Sequence, residues 1–229
     1  MTGAAGEGGA FYGRRKGKKL RAGQADLFET LLPRLRVHPK TDLGQPERLF
    51  GRPVREVWLE IGFGGGEHLL SRARKNQDVG FIGCEPFVNG MAKLLAAIEA
   101  EKLDNVRLFD GDALQVIEAL PDASIARVVL LYPDPWPKRR HHKRRFVSDA
   151  MLARLARILR PGGSFWFASD IDHYVGWVLA RVLRSPDFAW EAERAADWRE
   201  PYPGWPSTRY EAKALREGRT PSYLRIRRR

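Results

Sequence analysis

Val57-Trp58-Leu59-Glu60-Ile61-Gly62-Phe63-Gly64-Gly65-Gly66-Glu67 is an apolar run that ends in an acid and leads straight into a glycine turn. Such a run reads as a strand of a parallel sheet, buried on both faces, that delivers its carboxyl end to a ligand. Gly62, Gly64 and Gly66 let the backbone take positive φ and approach that ligand closely, and Glu67 opens the next helix. A dinucleotide fingerprint, G-x-G-x-x-G, would need glycine at position 67, where Glu67 instead repels a pyrophosphate. On glycine spacing alone, a plain structural turn stays open.

Beyond Gly51-Arg52-Pro53, strand-like and helix-like stretches alternate. Strands are predicted at 54–61, 79–85, 105–109, 125–132 and 163–169, and helices at 67–76, 87–102, 112–120, 146–159 and 171–185. Arg160-Pro161-Gly162-Gly163 reads as a helix stop and tight turn, and Phe188 to Glu191 with Tyr223 to Arg227 as an antiparallel edge pair. The expected fold is α/β: a Rossmann-like, doubly wound seven-stranded sheet, mostly parallel with an antiparallel edge strand. The 229 residues suit a single domain over 23–229. Before it, Arg14 to Arg21 crowd positive charge without apolar periodicity, which predicts a disordered basic arm over 1–22. Leu27, Phe28, Leu31 and Leu32 make a short amphipathic piece that covers one edge of the core.

A net charge of +12 and a pI near 10.2 point to a polyanionic partner. The single cysteine, Cys84, excludes an intrachain disulfide, fits a reducing compartment and reads as buried packing. No apolar run approaches the roughly 18 residues needed to span a bilayer, and Met1 to Ala10 lacks the apolar centre of a secretory signal. A cytoplasmic protein without membrane contact is expected, as a monomer or homodimer.

Ligands of open α/β sheets bind beyond the carboxyl ends of the strands, where the strand order reverses. Here every strand closes on acid: Glu60, Glu85, Asp110 with Asp112, Asp134 and Asp170. Any one of these can be a helix cap, Asp112 above all. Five at one rim would repel one another unless something cationic or rich in donors sits among them. The pattern resembles S-adenosylmethionine-dependent methyltransferases, whose ligand carries an ammonium, a sulfonium and a ribose; Glu85 is placed to accept both ribose hydroxyls.

Tyr132-Pro133-Asp134-Pro135-Trp136-Pro137 is stiffened by three prolines, so a carboxylate and an indole are held ready for a nucleobase. Lys138, Arg139, Arg140, His141, His142, Lys143, Arg144 and Arg145 follow as a phosphate-binding track. Adjacent His141 and His142 do not converge on a metal, and no metal is expected. The combination of LEIGFGGGE at 59–67, GDA at 111–113, PDPWPKRRHHKRR at 133–145 and TRYE at 208–211 is similar to the bacterial tRNA (guanine-N7-)-methyltransferase family. The resemblance covers most of the chain from about Arg52 onward and leaves out the arm.

That resemblance implies methyl transfer from S-adenosylmethionine, leaving S-adenosylhomocysteine, to N7 of the variable-loop guanine at position 46 of tRNA. Its cofactor contacts fall on Glu60, Gly62, Gly64, Glu85, Asp112, Ala113 and Asp134, the last also the catalytic residue. Its substrate contacts fall on Lys138, on Arg140, His141, His142, Lys143, Arg144 and Arg145 facing RNA, on Asp170, and on Thr208, Arg209, Tyr210 and Glu211. Guanine N7 carries a free in-plane lone pair at neutral pH, so no general base is needed and Asp134 positions the base and offsets its developing charge. Three rivals stay open. An exocyclic-amine methyltransferase would use a similar acid-proline-aromatic loop, a non-catalytic RNA-binding protein could keep the same shell, and an NAD-dependent dehydrogenase is disfavoured by Glu67.

Overall fold

The computed structural model describes residue 13 and residues 15–229; the rest of the expected arm, Arg14 included, lies outside the described residues. In chain order the strands are β1 (Glu56–Ile61), β2 (Val79–Cys84), β3 (Val106–Phe109), β4 (Ile125–Leu131), β5 (Leu159–Ser169), β6 (Phe188–Trp190) and β7 (Ser222–Arg228). The helices are α1 (Ala22–Thr30), α2 (Leu32–Leu35), α3 (Glu67–Lys75), α4 (Val88–Glu101), α5 (Ala113–Ala119), α6 (Asp149–Ile158), α7 (Asp172–Arg184), α8 (Ala196–Arg199) and α9 (Arg209–Arg216). The strands form one sheet in the order β3-β2-β1-β4-β5-β7-β6. β1 to β5 pair in parallel, and β7 runs antiparallel to both β5 and β6. The doubly wound seven-stranded architecture expected from the sequence is therefore present. The reversed strand, β7, lies one place in from the edge that β6 occupies.

Alternation along β1 builds the two faces. Val57, Leu59 and Ile61 join the core cluster that includes Val116 and Ile117 of α5, Leu152 and Leu155 of α6, and Val178 of α7. Trp58 joins the opposite cluster, with Leu32 of α2, Leu69 of α3, and Met91 and Leu94 of α4. Side chains two apart on a strand share a face, so Glu60 points the way Trp58 does, toward α3. β5 starts at Leu159, earlier than expected: Leu159 pairs with Ile125, and the register then shifts so that Ser164 faces Arg127. The segment Arg160-Pro161-Gly162-Gly163, expected to be a tight turn, is a bulge within the strand, with Gly162 at φ +73°.

Helix ends carry their own chemistry. Ser148 caps α6 by accepting from the Met151 N–H, and α3 has Glu67 in its first turn and Arg72, Arg74 and Lys75 in its last, matching the helix dipole. The start of α4 is pressed onto the glycine turn: a Cβ on Gly90 would lie 2.1 Å from the Gly64 carbonyl oxygen. Residues 15–18 of the basic segment lie along this same helix start. The Val88 N–H donates to the Arg15 carbonyl at 2.9 Å, the Gly17 N–H to Asn89 Oδ1 at 2.7 Å, and Asn89 Nδ2 to the Lys18 carbonyl at 2.7 Å.

Two glycine substitutions should diverge for this reason. Gly23→Ala, in α1 with open space where the Cβ would go, should raise the melting temperature through the roughly 0.5–1 kcal/mol helix preference of alanine. Gly90→Ala must push α4 off the glycine turn and should cost about 1–3 kcal/mol, read as a lower melting temperature by calorimetry. Melts of the two variants that moved in the same direction would contradict this packing.

Candidate active site

The strand order reverses between β1 and β4, and a cleft opens there. It is lined by Gly62 and Phe63 of the turn, Glu67 and His68 of α3, Leu131 and Tyr132 at the end of β4, and Thr208 and Tyr210 at the start of α9, with Glu60 as its floor. Gly62, Gly64 and Gly66 hold φ of +66°, +58° and +82°, the left-handed values the spacing called for. Glu85 Oε2 accepts the Gly64 N–H at 2.7 Å and Oε1 accepts the Phe87 N–H at 2.9 Å, so one buried carboxylate ties the turn to its own loop. Each oxygen keeps a further lone pair for a ligand hydroxyl. Burial pushes the Glu85 carboxyl above its ordinary pKa, against the pull of the Phe87 and Gly64 N–H groups and of Arg209.

The strand-end acids need something cationic or rich in donors among them, and for all but Asp134 the chain itself supplies it. Glu60, 5 % exposed, takes His68 Nδ1 at 2.6 Å; Asp110 pairs with Arg36 at 2.7 Å; Asp170 pairs with Arg219 at 2.6 Å. Asp112 caps α5 by accepting the Leu114 N–H at 3.0 Å on Oδ1, beside the buried Ala113. Asp134 differs: it makes no hydrogen bond or ion pair among the described residues. Desolvation by its surroundings holds its carboxyl above the ordinary aspartate pKa, and its charge contributes to raising that of Glu85.

The loop that presents Asp134 is bracketed by two non-glycine residues in the left-handed region, Tyr132 at φ +50° and Trp136 at φ +43°. Such conformations cost on the order of 1–3 kcal/mol each and persist where neighbours over-determine them. Arg145 is one of those neighbours. Its Nε donates to the Pro135 carbonyl at 2.8 Å, Nη2 lies 2.9 Å from His173 Nδ1, and the guanidinium sits over the rings of Tyr174 and Trp177 at 5.0 and 4.8 Å. At 4 % exposure it braces the loop from inside and does not face solvent, which corrects its expected place on the RNA track.

The rest of the basic run is a 3-10 helix over Arg139–Arg144. Lys138, Arg139, Arg140 and Lys143 are exposed, and Arg144 lies over the Trp136 ring at 5.0 Å. His141 meets Trp136 edge-on, and His142 packs against His173 and Trp177. Desolvation, followed by the positive charge of nearby arginines, holds both histidines below their ordinary pKa, so they are neutral at pH 7 and the track's charge comes from Lys and Arg. Among the described residues no group of His, Cys, Asp and Glu is arranged to hold a metal ion, and no helix is long and apolar enough to cross a membrane. Cys84 is buried and its thiol is pushed well above its ordinary pKa by desolvation.

The four residues of the TRYE run divide in two. Thr208 and Glu211 are buried partners in a capping box: Thr208 Oγ1 accepts the Glu211 N–H at 3.2 Å, and Glu211 Oε2 accepts the Thr208 N–H at 3.3 Å. Glu211 also accepts from Trp205 Nε1 at 2.8 Å and from the Tyr223 hydroxyl, so its carboxylate is held within the fold. Arg209 and Tyr210 are the exposed pair. Their side chains reach over Gly64, where an added Cβ would lie 3.0 Å from the Tyr210 ring and 3.3 Å from Arg209 Nη2, and Tyr210 stacks against Tyr132 at 6.5 Å.

Sequence reasoning missed His68, Tyr202, Trp205 and Gly90. For His68 a signal existed, since strand parity turns Glu60 toward the first turn of the following helix. For Tyr202, far along the chain, none did.

The family model described as "Putative methyltransferase" matches residues 54–223. Two bacterial proteins named tRNA (guanine-N(7)-)-methyltransferase are each 59 % identical to this chain: that of Chelativorans sp. (strain BNC1) over 94 % of this chain and 93 % of its own length, and that of Rhizobium meliloti (strain 1021) over 96 % and 95 %. The chain belongs to the tRNA (guanine-N7-)-methyltransferase family. Its fold is also that of a solved antibiotic-related methyltransferase, with TM-score 0.53 at 19 % identity over 82 % of this chain and 94 % of that one. Family membership does not favour the readings as an exocyclic-amine methyltransferase, a non-catalytic RNA-binding protein or a dehydrogenase.

In this member of the family, Arg145→Ala and Arg140→Ala should behave differently although they lie in one basic run. Arg145→Ala strands the Pro135 carbonyl and should lower stability by about 1–3 kcal/mol, whereas exposed Arg140→Ala should stay within roughly 0.5 kcal/mol of the parent in denaturant titration. Equal stability losses would show that Arg145 does not brace the loop.

Proposed function

We propose that this protein transfers the methyl group of S-adenosylmethionine to N7 of the variable-loop guanine, position 46, of tRNA. The observation that carries the reading is Asp134, an acid at the switch point with no internal partner among the described residues, on a triple-proline loop beside the glycine turn. The glycine turn, the spare lone pairs of Glu85 and the free Oδ2 of Asp112, next to Ala113, suit a nucleoside, with Glu60 on the floor of the cleft. When bound, S-adenosylmethionine supplies an electrophilic methyl on a sulfonium. Asp134 accepts from the N–H groups of the guanine and fixes its plane, two residues from Trp136, whose ring carries the Arg144 guanidinium at 5.0 Å. N7 attacks through its own lone pair and no residue has to remove a proton. Alignment can supply roughly 7–11 kcal/mol, against about 3–4 for one well-aimed electrostatic contact, so Asp134 matters first by orientation.

Arg209 and Tyr210 over the glycine turn, with Lys138, Arg139, Arg140 and Lys143, provide the cationic surface for the RNA backbone. His141 and His142 enter as neutral packing groups, while Asp170, Thr208 and Glu211 support the site from within.

The direct test incubates the protein with labelled S-adenosylmethionine and unmodified tRNA transcripts that have or lack the variable-loop guanine; label that persists on the second transcript rejects the site. Asp134→Ala should slow single-turnover methylation at least a hundredfold with an unchanged melt. The carboxylate is the working form and its pKa is raised, so the rate in the parent should fall, as pH is lowered, at a higher pH than an ordinary aspartate near 3.9 would give. Near-normal turnover in Asp134→Ala would reject its role.

A further inference from the structure

A chain of polar contacts leaves the floor of the cleft and returns to its roof. Glu60 Oε2 is 2.6 Å from His68 Nδ1, and Nε2 of the same ring is 2.5 Å from the Tyr202 hydroxyl. A carboxylate only accepts, so Nδ1 carries the hydrogen, and in the neutral ring Nε2 accepts from the Tyr202 O–H. The Tyr202 ring lies 4.2 Å from that of Trp166 and 4.8 Å from that of Trp205, with the Arg72 guanidinium 4.5 Å above it. Trp205 Nε1 donates to Glu211, whose carboxylate also holds the Thr208 cap of α9. The first turn of α9 then places Arg209 and Tyr210 over Gly64, just past Glu60 on the same turn. His68 is 2 % exposed, and the transfer proposed above makes no use of it.

We infer that His68 is a positioning residue that couples occupancy of the cleft to the placement of Arg209 and Tyr210, so that methyl donor and tRNA bind cooperatively; this rests on the function proposed above. Glu60 and His68 both line the cleft beside the glycine turn, so a cationic group bound there acts on the Glu60 carboxylate and, through it, on the imidazole. The imidazole is rigid, with its two nitrogens bonded on opposite sides, so a shift of Glu60 is passed to Tyr202. Tyr202 sits in a packed aromatic group and cannot move without Trp205, and Trp205 is bonded to the residue that caps α9. Packing alone would require only the ring of Tyr202. The hydroxyl, which also faces Arg72, is what joins Tyr202 to His68. Linkage requires the effect to be reciprocal: whatever factor donor binding adds to tRNA affinity, tRNA adds to donor affinity.

The experiment measures binding, not turnover. The affinity of the full chain for unmodified tRNA is determined with and without saturating S-adenosylhomocysteine, and the affinity for S-adenosylhomocysteine by calorimetry with and without tRNA. In the parent both ratios should agree and lie between about 5 and 150. Tyr202→Phe keeps the ring and removes the hydroxyl; it should keep each separate affinity near that of the parent and bring the ratio close to one. His68→Asn, which retains a donor for Glu60 but cannot span to Tyr202, should also bring the ratio close to one, and thermal melts establish that each variant is folded. A parent ratio of one, or a ratio unchanged in a folded variant, overturns the coupling while leaving methyl transfer standing. Failure of the parent to bind either ligand overturns the proposed function and this inference with it.

Discussion

A carboxylate buried at the end of the central strand has to be matched before anything else can be assembled around it. Leaving such a charge unpaired costs several kcal/mol even after relaxation, which makes Glu60 a constraint on its neighbours. Parity along β1 turns it toward α3, and the first turn of that helix supplies His68. His68 offers its remaining nitrogen to Tyr202, whose ring also packs against Trp166 and Trp205 and beneath Arg72, and Trp205 in turn bonds Glu211 at the start of α9.

The electrostatics of the site are less frustrated than a count of acids suggests. Glu60, Glu85, Asp110, Asp112 and Asp170 are each answered by a ring nitrogen, backbone N–H groups or a guanidinium. Internal pairing frees the cleft to discriminate by shape and by the few acceptor positions left over. Asp134 stands apart because its loop is held by its backbone, through prolines, two left-handed aromatic residues and the Arg145 contact to Pro135, so its carboxylate is not consumed in holding it.

Much of this fold was legible because strand and helix periods alternate cleanly from Val57 onward, and the cores on the two faces follow from that alternation. The glycine turn and the loop around Asp134 were also legible, since glycine spacing and proline content act locally. Side-chain direction inside the basic run was not: Arg144 and Arg145 are neighbours of one type, yet one lies on Trp136 and the other is buried beneath Pro135. Thr208 and Glu211 form a capping box, a local role that the T-x-x-E signature before a helix also makes legible. The His68 to Tyr202 bond joins residues too far apart for any local pattern to announce it.

The strip that carries Arg15 to Lys18 is fastened to α4 through its main chain: two of its carbonyls and one amide meet the Val88 amide and the Asn89 side chain. This part of the anchorage does not depend on charge. A replacement at Asn89 would remove two of these three fastenings while leaving every charge in place.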